Sequence, residues 1–211
     1  MPIYNAPLAD MKFILNDVFN ADQFWQSNEN LAHVDSATAE AILEEMAKFA
    51  QNVTLPLNRT GDEEGATFSN GAVTTPAGFK EAFKQYAEGG WIGLAADEEW
   101  GGQGMPKMLT VLADEMLFAT NPSFMLYPLL SVGAGMALNS YASQEQKETY
   151  LPKIYSGEWS GTMCLTEPHA GTDLGIIKTK AERNEDGTYN ITGTKIFITG
   201  GDHDLAENII H

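Results

Sequence analysis

Residues 164–173 read Cys-Leu-Thr-Glu-Pro-His-Ala-Gly-Thr-Asp, a run of small, hydroxyl and acidic side chains that lies where the hydrophobic pattern of the chain changes. Gly171 lets the backbone approach a bound group closely, and the hydroxyls of Thr166 and Thr172 can form hydrogen bonds with such a group. Glu167 and Asp173 are better suited to accepting hydrogen bonds from turn amides than to catalysis. This run therefore predicts a change of structure and a binding site in the same place.

Beyond Gly157 the pattern favours short strands separated by turns. The predicted strands cover residues 159–165, 176–182, 188–192 and 195–199, and turns fall at 185–187 and at Gly193. Residues 208–211 look like the opening of a further strand. Four or five strands with open edges leave backbone groups unpaired, so we expect residues 158–211 to be poorly ordered alone or paired with another copy.

Before Gly157 the spacing is helical. Apolar residues share one face of a helix over 37–51. Thr75-Pro76 and Asn121-Pro122 each place an N-cap before a proline at the first helical position. The helix that Thr75-Pro76 opens is predicted to stop at 89–90. Ser143 and Gln146 predict a capping box for a helix that ends near residue 157. The acidic stretch 62–65 reads as a solvated loop.

Residues 1–34 read as a separate lead-in that packs on the helical body. Apolar residues at positions 11, 14, 15, 18 and 19 have helical spacing, and Phe24 and Trp25 follow as an aromatic plug.

Composition excludes several classes of protein. The 12 Lys and Arg against 29 Asp and Glu give a net charge of −17, which argues against binding nucleic acid or anionic lipid. No apolar run approaches the roughly 20 residues of a membrane span, and the first residues lack the basic start of a secretory signal. A single cysteine, Cys164, excludes an internal disulfide. A cytoplasmic location is the default expectation.

Three motifs in order resemble the acyl-CoA dehydrogenase family. Residues 164–173 match its first signature, although Ile176 stands where the family has a small residue. Residues 93–94 and 98–104 are similar to its glycine-rich turn, with Asp97 in place of the usual proline. Residues 195–201, Lys-Ile-Phe-Ile-Thr-Gly-Gly, are similar to the stretch in which the family places Trp-Ile-Thr against its flavin.

The resemblance implies an α+β fold with a helical amino-terminal domain at 35–157 and a central β domain at 158–211. On this basis the β domain is incomplete, the helical carboxy-terminal domain is absent, and the chain is expected to be truncated. Residues 1–8 resemble the amino-terminal extension of a larger subgroup that includes the 3-methylmercaptopropionyl-CoA dehydrogenases.

The family's cofactor is FAD, and the resemblance carries its contacts onto matching positions here. Thr166 is expected to line the pyrimidine side of the flavin together with Met163 and Leu165, and Thr199 is expected to lie near N5. Phe197 offers a flat face to the ring system. Thr172 is expected to bond the flavin pyrophosphate or the pantetheine arm of the substrate. The full predicted cofactor set is Met163, Leu165, Thr166, Gly171, Thr172, Phe197, Ile198 and Thr199.

Each of these residues has a plainer interpretation. A threonine in a strand is usually just a good strand former, and Phe197 could be a core residue. The ordered set of motifs favours the flavin site over these separate explanations.

The resemblance also implies a reaction in fatty acid β-oxidation. A glutamate base removes the α proton of an acyl-CoA, the β hydride passes to the flavin, and trans-2-enoyl-CoA forms. Electrons then pass to an electron-transfer flavoprotein, and the full-length protein is a homo-oligomer. The base comes from the carboxy-terminal domain, so we assign no catalytic residue here and expect these 211 residues alone to be inactive. The alternatives are an acyl-CoA oxidase or related flavoprotein, or a non-catalytic helical interaction module.

Other candidate sites are weaker. Residues 202–204, Asp-His-Asp, cannot all point inward to hold a metal, so we interpret them as a solvated turn. Cys164 lacks a basic neighbour and reads as a buried structural thiol. His169 is expected to be exposed, and His33 to be a boundary residue. The glycines at 101–104 lack the spacing of a phosphate loop and read as a helix connector.

Overall fold

The computed structural model describes residues 3–211; Met1 and Pro2, which belong to the predicted amino-terminal extension, lie outside the described residues. Apart from one short hairpin, the helices of this range precede its strands, which confirms the α+β class with the helical part first. The helices are α1 (Leu8–Phe13), α2 (Ala21–Gln26), α3 (Ser36–Phe49), α4 (Leu55–Glu64), α5 (Phe79–Glu88), α6 (Lys107–Thr120), α7 (Pro122–Tyr141) and α8 (Gln144–Tyr155). The strands are β1 (Thr67–Ser69), β2 (Ala72–Thr74), β3 (Trp159–Gly161), β4 (Lys180–Arg183), β5 (Tyr189–Thr192) and β6 (Asn208–Ile210).

The lead-in packs on the helical body, as predicted. Met11 and Leu15 are buried in the main hydrophobic core, and so is Trp25 of α2. Phe24, the other half of the predicted aromatic plug, is exposed. Neighbouring residues of a helix point about 100° apart, so burying Trp25 turns Phe24 towards solvent.

The first long helix begins where predicted and extends further. Asp35 caps α3 by accepting a hydrogen bond from the Thr38 amide at 2.7 Å. A π-helical turn at Ala50–Thr54 then leads directly into α4. The stretch 62–64, predicted as a loop, forms the last turn of α4 instead. The helical hydrogen bonds continue until the Gly65 amide binds the Gly61 carbonyl at 2.8 Å, and only at Gly65 does φ become positive, at 69°.

The start predicted for α5 at Thr75-Pro76 is wrong. Thr75 follows the β1–β2 hairpin, and its amide and hydroxyl both donate to Asp204, at 3.0 and 2.7 Å. The helix begins at Phe79, after Gly78 has turned the chain with a φ of 86°. Thr75 is therefore tied to a residue far along the chain rather than to the helix that it was expected to cap.

The caps of α7 and α8 are confirmed. The Asn121 side chain accepts a hydrogen bond from the Phe124 amide at 3.0 Å. Ser143 and Gln146 exchange both bonds of the capping box, at 3.3 and 3.0 Å. Phe124 is fully buried at the centre of the helical core, with its ring centroid 5.8 Å from Phe79.

The strands are shorter than predicted. The predicted strand over 159–165 ends at Gly161, the one over 176–182 begins at Lys180, and the one over 188–192 forms β5. Strand β6 confirms the predicted opening at residue 208 and pairs in parallel with β3, while β4 and β5 form an antiparallel hairpin. Residues 195–199 are not a strand, because Phe197 has a φ of 56°, which breaks an extended backbone.

Among the helices of residues 3–211, we find none that combines the length and the apolar character needed to span a bilayer.

Candidate functional site

The signature segment 164–173 contains a tight turn closed by backbone hydrogen bonds, and its two acidic side chains bind backbone amides further along the chain. The backbone amides and carbonyls of Glu167 and Ala170 bond reciprocally at 3.0 Å, which closes a turn over Pro168 and His169. Asp173 accepts a hydrogen bond from the Gly175 amide at 3.0 Å and starts a single 3-10 turn at Leu174–Ile176. The prediction that Glu167 and Asp173 bind turn amides is confirmed.

Glu167 is the buried anchor of this turn. Its carboxylate accepts hydrogen bonds from the amides of Lys178 and Thr179, at 2.8 and 2.9 Å, and from the Lys195 ammonium at 2.9 Å. Hydrogen bonds from Thr179 and from the Lys178 amide, together with the Lys195 ammonium, hold the pKa of the Glu167 carboxyl far below its usual range. The carboxylate therefore stays ionised and bonded at every ordinary pH, which suits an anchor rather than a proton acceptor.

Two segments about thirty residues apart come together at the site. The Ile196 amide donates to the Thr166 carbonyl at 2.9 Å, and the Lys195 ammonium donates to the Leu165 carbonyl at the same distance. The Thr162 hydroxyl donates to the Thr199 carbonyl at 2.6 Å. The structure thus places residues 162–167 beside residues 195–199, so that two of the three predicted groups of cofactor residues share one region. Gly171 and Thr172 follow directly on the turn that Glu167 closes.

The side chains of this region face outward. Phe197 is 88% exposed and Met163 is 64% exposed, while Leu165 is at the margin of exposure. Gly171, Thr172 and Thr199 are exposed as well, and Thr166 and Ile198 are half-buried. The interpretation of Phe197 as a core residue is therefore wrong. Large apolar side chains exposed together are typical of a surface that binds a ligand or another protein surface, rather than of one that faces only solvent.

The backbone at Phe197 supports the same interpretation. A non-glycine residue with a φ of 56° adopts the left-handed conformation, which is unfavourable for a bulky side chain. Residues held in this way cluster at functional sites, where the surrounding contacts keep the side chain in place.

The chemistry of these residues fits a flavin nucleotide. The side-chain hydroxyls of Thr166, Thr172 and Thr199 form no hydrogen bond with any residue in the range 3–211, so they are free to bond the polar edge of a ring or a pyrophosphate. A Cβ atom added at Gly171 would meet no protein atom within 4 Å, so the space beside this glycine is open to a bound group. The exposed aromatic and aliphatic side chains supply the apolar face that an isoalloxazine ring requires.

Two contacts in and beside the candidate site were not predicted from the sequence. The sequence predicts Lys195 only as the first residue of a strand, yet its ammonium joins the two segments of the site through the Leu165 carbonyl and the Glu167 carboxylate. The prediction that His203 lies in a solvated turn is wrong, because the residue is 7% exposed and its Nε2 atom lies 2.9 Å from the Ser160 hydroxyl. A histidine among acidic residues carries no local signal of burial, since the groups that cover it lie far away in the sequence.

The remaining candidates sort as follows. Cys164 is half-buried in the irregular segment after β3, not buried in a strand as predicted. His33 and His169 are exposed. The glycines at 101–104 connect helices as predicted, and the Gly102 amide bonds the Asp97 carbonyl at 3.0 Å. The Asp97 carboxylate, in place of the family's proline, accepts a hydrogen bond from Asn139 of α7 at 2.8 Å.

Sequence comparison places the chain among known proteins. Residues 36–158 match the model of the acyl-CoA dehydrogenase N-terminal domain. A 3-methylmercaptopropionyl-CoA dehydrogenase of Ruegeria pomeroyi is 43% identical over 99% of this chain and 35% of its own length. The broad-specificity linear acyl-CoA dehydrogenase FadE5 of Mycobacterium tuberculosis is 35% identical over 100% of this chain and 34% of its own length. The chain thus spans about a third of the length of these relatives.

Solved structures give the same result. Butyryl-CoA dehydrogenase of Megasphaera elsdenii aligns with a TM-score of 0.67 and 27% identity, over 77% of this chain and 41% of that one. An acyl-CoA dehydrogenase of Bacillus anthracis complexed with FAD aligns with a TM-score of 0.67 and 28% identity, over 80% of this chain and 28% of that one. The motifs, the fold and these comparisons agree, and the chain belongs to the acyl-CoA dehydrogenase family.

Proposed function

We propose that this chain supplies the amino-terminal part of an FAD-dependent acyl-CoA dehydrogenase, which converts an acyl-CoA thioester to a trans-2-enoyl-CoA. The observation that carries the proposal is the meeting of residues 162–167 and 195–199 beside the open turn at Gly171, in a chain of this family. A relative of similar fold is complexed with FAD, and the unpaired hydroxyls and exposed apolar side chains here are of the kinds that such a cofactor needs.

The proposed roles follow from the chemistry of each side chain. Thr166 and Thr199 bond the polar edges of the isoalloxazine ring, and Thr172 bonds the pyrophosphate or the pantetheine arm of the substrate. The apolar residues Met163, Leu165, Phe197 and Ile198 pack on the ring system and exclude water from it. When bound, FAD supplies the acceptor for the hydride that leaves the β carbon of the substrate.

We assign no catalytic base among these 211 residues. Glu167 is the most buried carboxylate of the site, but its oxygens already bind two amides and the Lys195 ammonium. A general base needs a pKa near the working pH and a free oxygen within reach of the proton, and Glu167 has neither. Its proposed role is to hold the turn on which Thr166 and Gly171 lie.

We further propose that the whole protein is a cytoplasmic homo-oligomer that passes electrons to an electron-transfer flavoprotein. The support is the family to which the chain belongs and its likeness to acyl-CoA dehydrogenases of bacterial origin.

The test is the visible absorbance spectrum of the longest natural polypeptide that contains this chain, followed by anaerobic titration with a panel of acyl-CoA thioesters. Flavin bands that are bleached by one thioester are the expected result, and they would identify the substrate class. Re-oxidation by oxygen as fast as by an artificial electron acceptor would indicate an acyl-CoA oxidase instead. A colourless protein that stays colourless with added FAD would contradict the proposal and favour a non-catalytic module.

A further inference from the structure

His203 is buried where three parts of the chain meet. Its Nε2 atom lies 2.9 Å from the hydroxyl of Ser160, a fully buried residue of β3. Its ring packs edge-on against Tyr127 of α7, with centroids 5.1 Å apart. One imidazole thus contacts a strand and a helix while belonging to the segment that leads from the candidate site into β6.

The hydrogen bonds of the ring fix its tautomer. Nδ1 accepts a hydrogen bond from the Leu205 amide at 3.2 Å, so this nitrogen carries no proton. The ring proton is therefore on Nε2, which donates to the Ser160 hydroxyl. His203 cannot take the Ser160 proton in this state, and the Asp204 carboxylate is engaged with Thr75 instead of with the ring. The Ser-His-Asp combination is therefore not a hydrolytic triad.

The chain just before His203 carries three of the predicted cofactor residues, Phe197, Ile198 and Thr199. Only residues 200–202 separate His203 from Thr199, whose carbonyl is bonded by Thr162 immediately after β3. Gly200 lies against Tyr127 as well: a Cβ atom added there would be 3.4 Å from the Tyr127 ring. His203 and Thr162 thus fasten residues 199–203 to β3 at both ends.

We infer that His203 is a positioning residue for the flavin. In its neutral form, the His203 ring holds residues 197–201 against β3 and α7 and so places Thr199 and Phe197. The cofactor part of this inference rests on the proposed function. The positioning of the segment itself rests only on the contacts of His203 with Ser160, Leu205 and Tyr127.

The contacts of His203 should depend on pH, because they form with the neutral ring. Burial lowers the pKa of His203 below its ordinary value, and the carboxylates of Asp202 and Asp204 on the same segment oppose this effect. From the other elements, Tyr127 and Ser160 face the ring, and Lys80 of α5 acts on Asp204. A proton on Nδ1 would meet the Leu205 N–H, so the contact favours the neutral ring. Its contribution is present above the ordinary histidine pKa and is lost as the pH falls through the lower folded pKa.

The experiment uses the longest natural polypeptide that contains this chain. It compares that protein with its His203→Gln and His203→Ala variants at about pH 7.5 and about pH 5.5. Glutamine keeps an amide donor near Ser160 and does not titrate, so it is the matched control. Hydrogen exchange of the amides of residues 197–205 is measured without cofactor, and the FAD dissociation constant is measured separately. With each exchange rate divided by the intrinsic rate at the same pH, we expect acidification of the protein with His203 to lower the protection of these amides, and to weaken FAD binding roughly tenfold more than in His203→Gln. His203→Ala should show low protection of these amides at both pH values.

Equal pH dependence in the protein and in His203→Gln would overturn the inference, as would unchanged exchange in His203→Ala. If His203→Ala does not fold, the comparison with His203→Gln still decides the matter. If FAD binds at neither pH, the proposed function fails, while the exchange data still decide whether His203 positions the segment.

Discussion

Replacing Gly171 by alanine is expected to harm cofactor binding without harming the fold. The backbone of Gly171 does not adopt a positive φ, and a Cβ atom there meets no protein atom within 4 Å. Alanine therefore fits the folded chain, and by restricting the unfolded chain it should stabilise the protein by about 0.4–1 kcal/mol. For a domain of this size that corresponds to a rise of roughly 1–4 °C in Tm.

The same methyl group would occupy space that the cofactor needs. If the backbone of Gly171 closely approaches the pyrophosphate of FAD, the added carbon creates a steric overlap that costs roughly 1–3 kcal/mol, as overpacking does in protein cores. The FAD dissociation constant should then rise about 5- to 150-fold. Fluorescence titration of FAD and thermal unfolding without FAD measure the two effects separately.

Gly133 provides the matched control. It is an exposed residue of α7, and a Cβ atom there also meets no atom within 4 Å. Gly133→Ala should stabilise the helix by up to about 1 kcal/mol and leave FAD affinity unchanged. If Gly171→Ala binds FAD as tightly as Gly133→Ala does, the backbone at 171 does not approach the cofactor and the proposed site is misplaced.

Two further predictions concern the helical part. Asn121→Ala removes a buried helix cap and the bond from the Asn121 side chain to the Thr54 carbonyl at 3.2 Å. The free energy of unfolding, measured in urea, should therefore fall by about 2–4 kcal/mol, whereas Ser143→Ala, which removes an exposed cap, should lower it by about 1 kcal/mol. Equal losses in the two variants would contradict this reasoning. Burial raises the pKa of Asp114 to about 6, with Lys107 opposing, so the stability that its neutral form confers is present at low pH and is lost as the pH rises through about 6. Asp114→Asn should therefore raise Tm at about pH 8 but not at about pH 4, and the same gain at both pH values would show that burial of Asp114 does not destabilise its charged form.

Local chemistry explains which elements could be predicted. The caps at Asn121 and Ser143 bond residues three positions away, so the sequence alone contains both partners. The bond between Asp173 and the Gly175 amide was predictable for a similar reason, because its partner is two residues away, whereas the amides that Glu167 binds lie 11 and 12 residues along the chain.

Long-range contacts explain the rest. Thr75 has the pattern of a helix cap, but its partner Asp204 is supplied from the other end of the chain. Residues 195–199 have the β-branched and aromatic composition of a strand, yet the residues around the left-handed Phe197 bond to residues 162–166, outside that stretch. His203 is buried by Ser160 and Tyr127, which no local pattern brings near it.

The parallel pairing of β3 with β6 has a consequence for the order of folding. Residues 162–207, which include every predicted cofactor residue, form the crossover between these two strands. The helical contacts before β3 are mostly local and can form quickly, whereas closing this crossover carries the entropy cost of a long loop. On the ribosome, the binding face can form only after β6 has emerged, so we expect the helices to acquire protection from proteolysis before the protein can take up its cofactor.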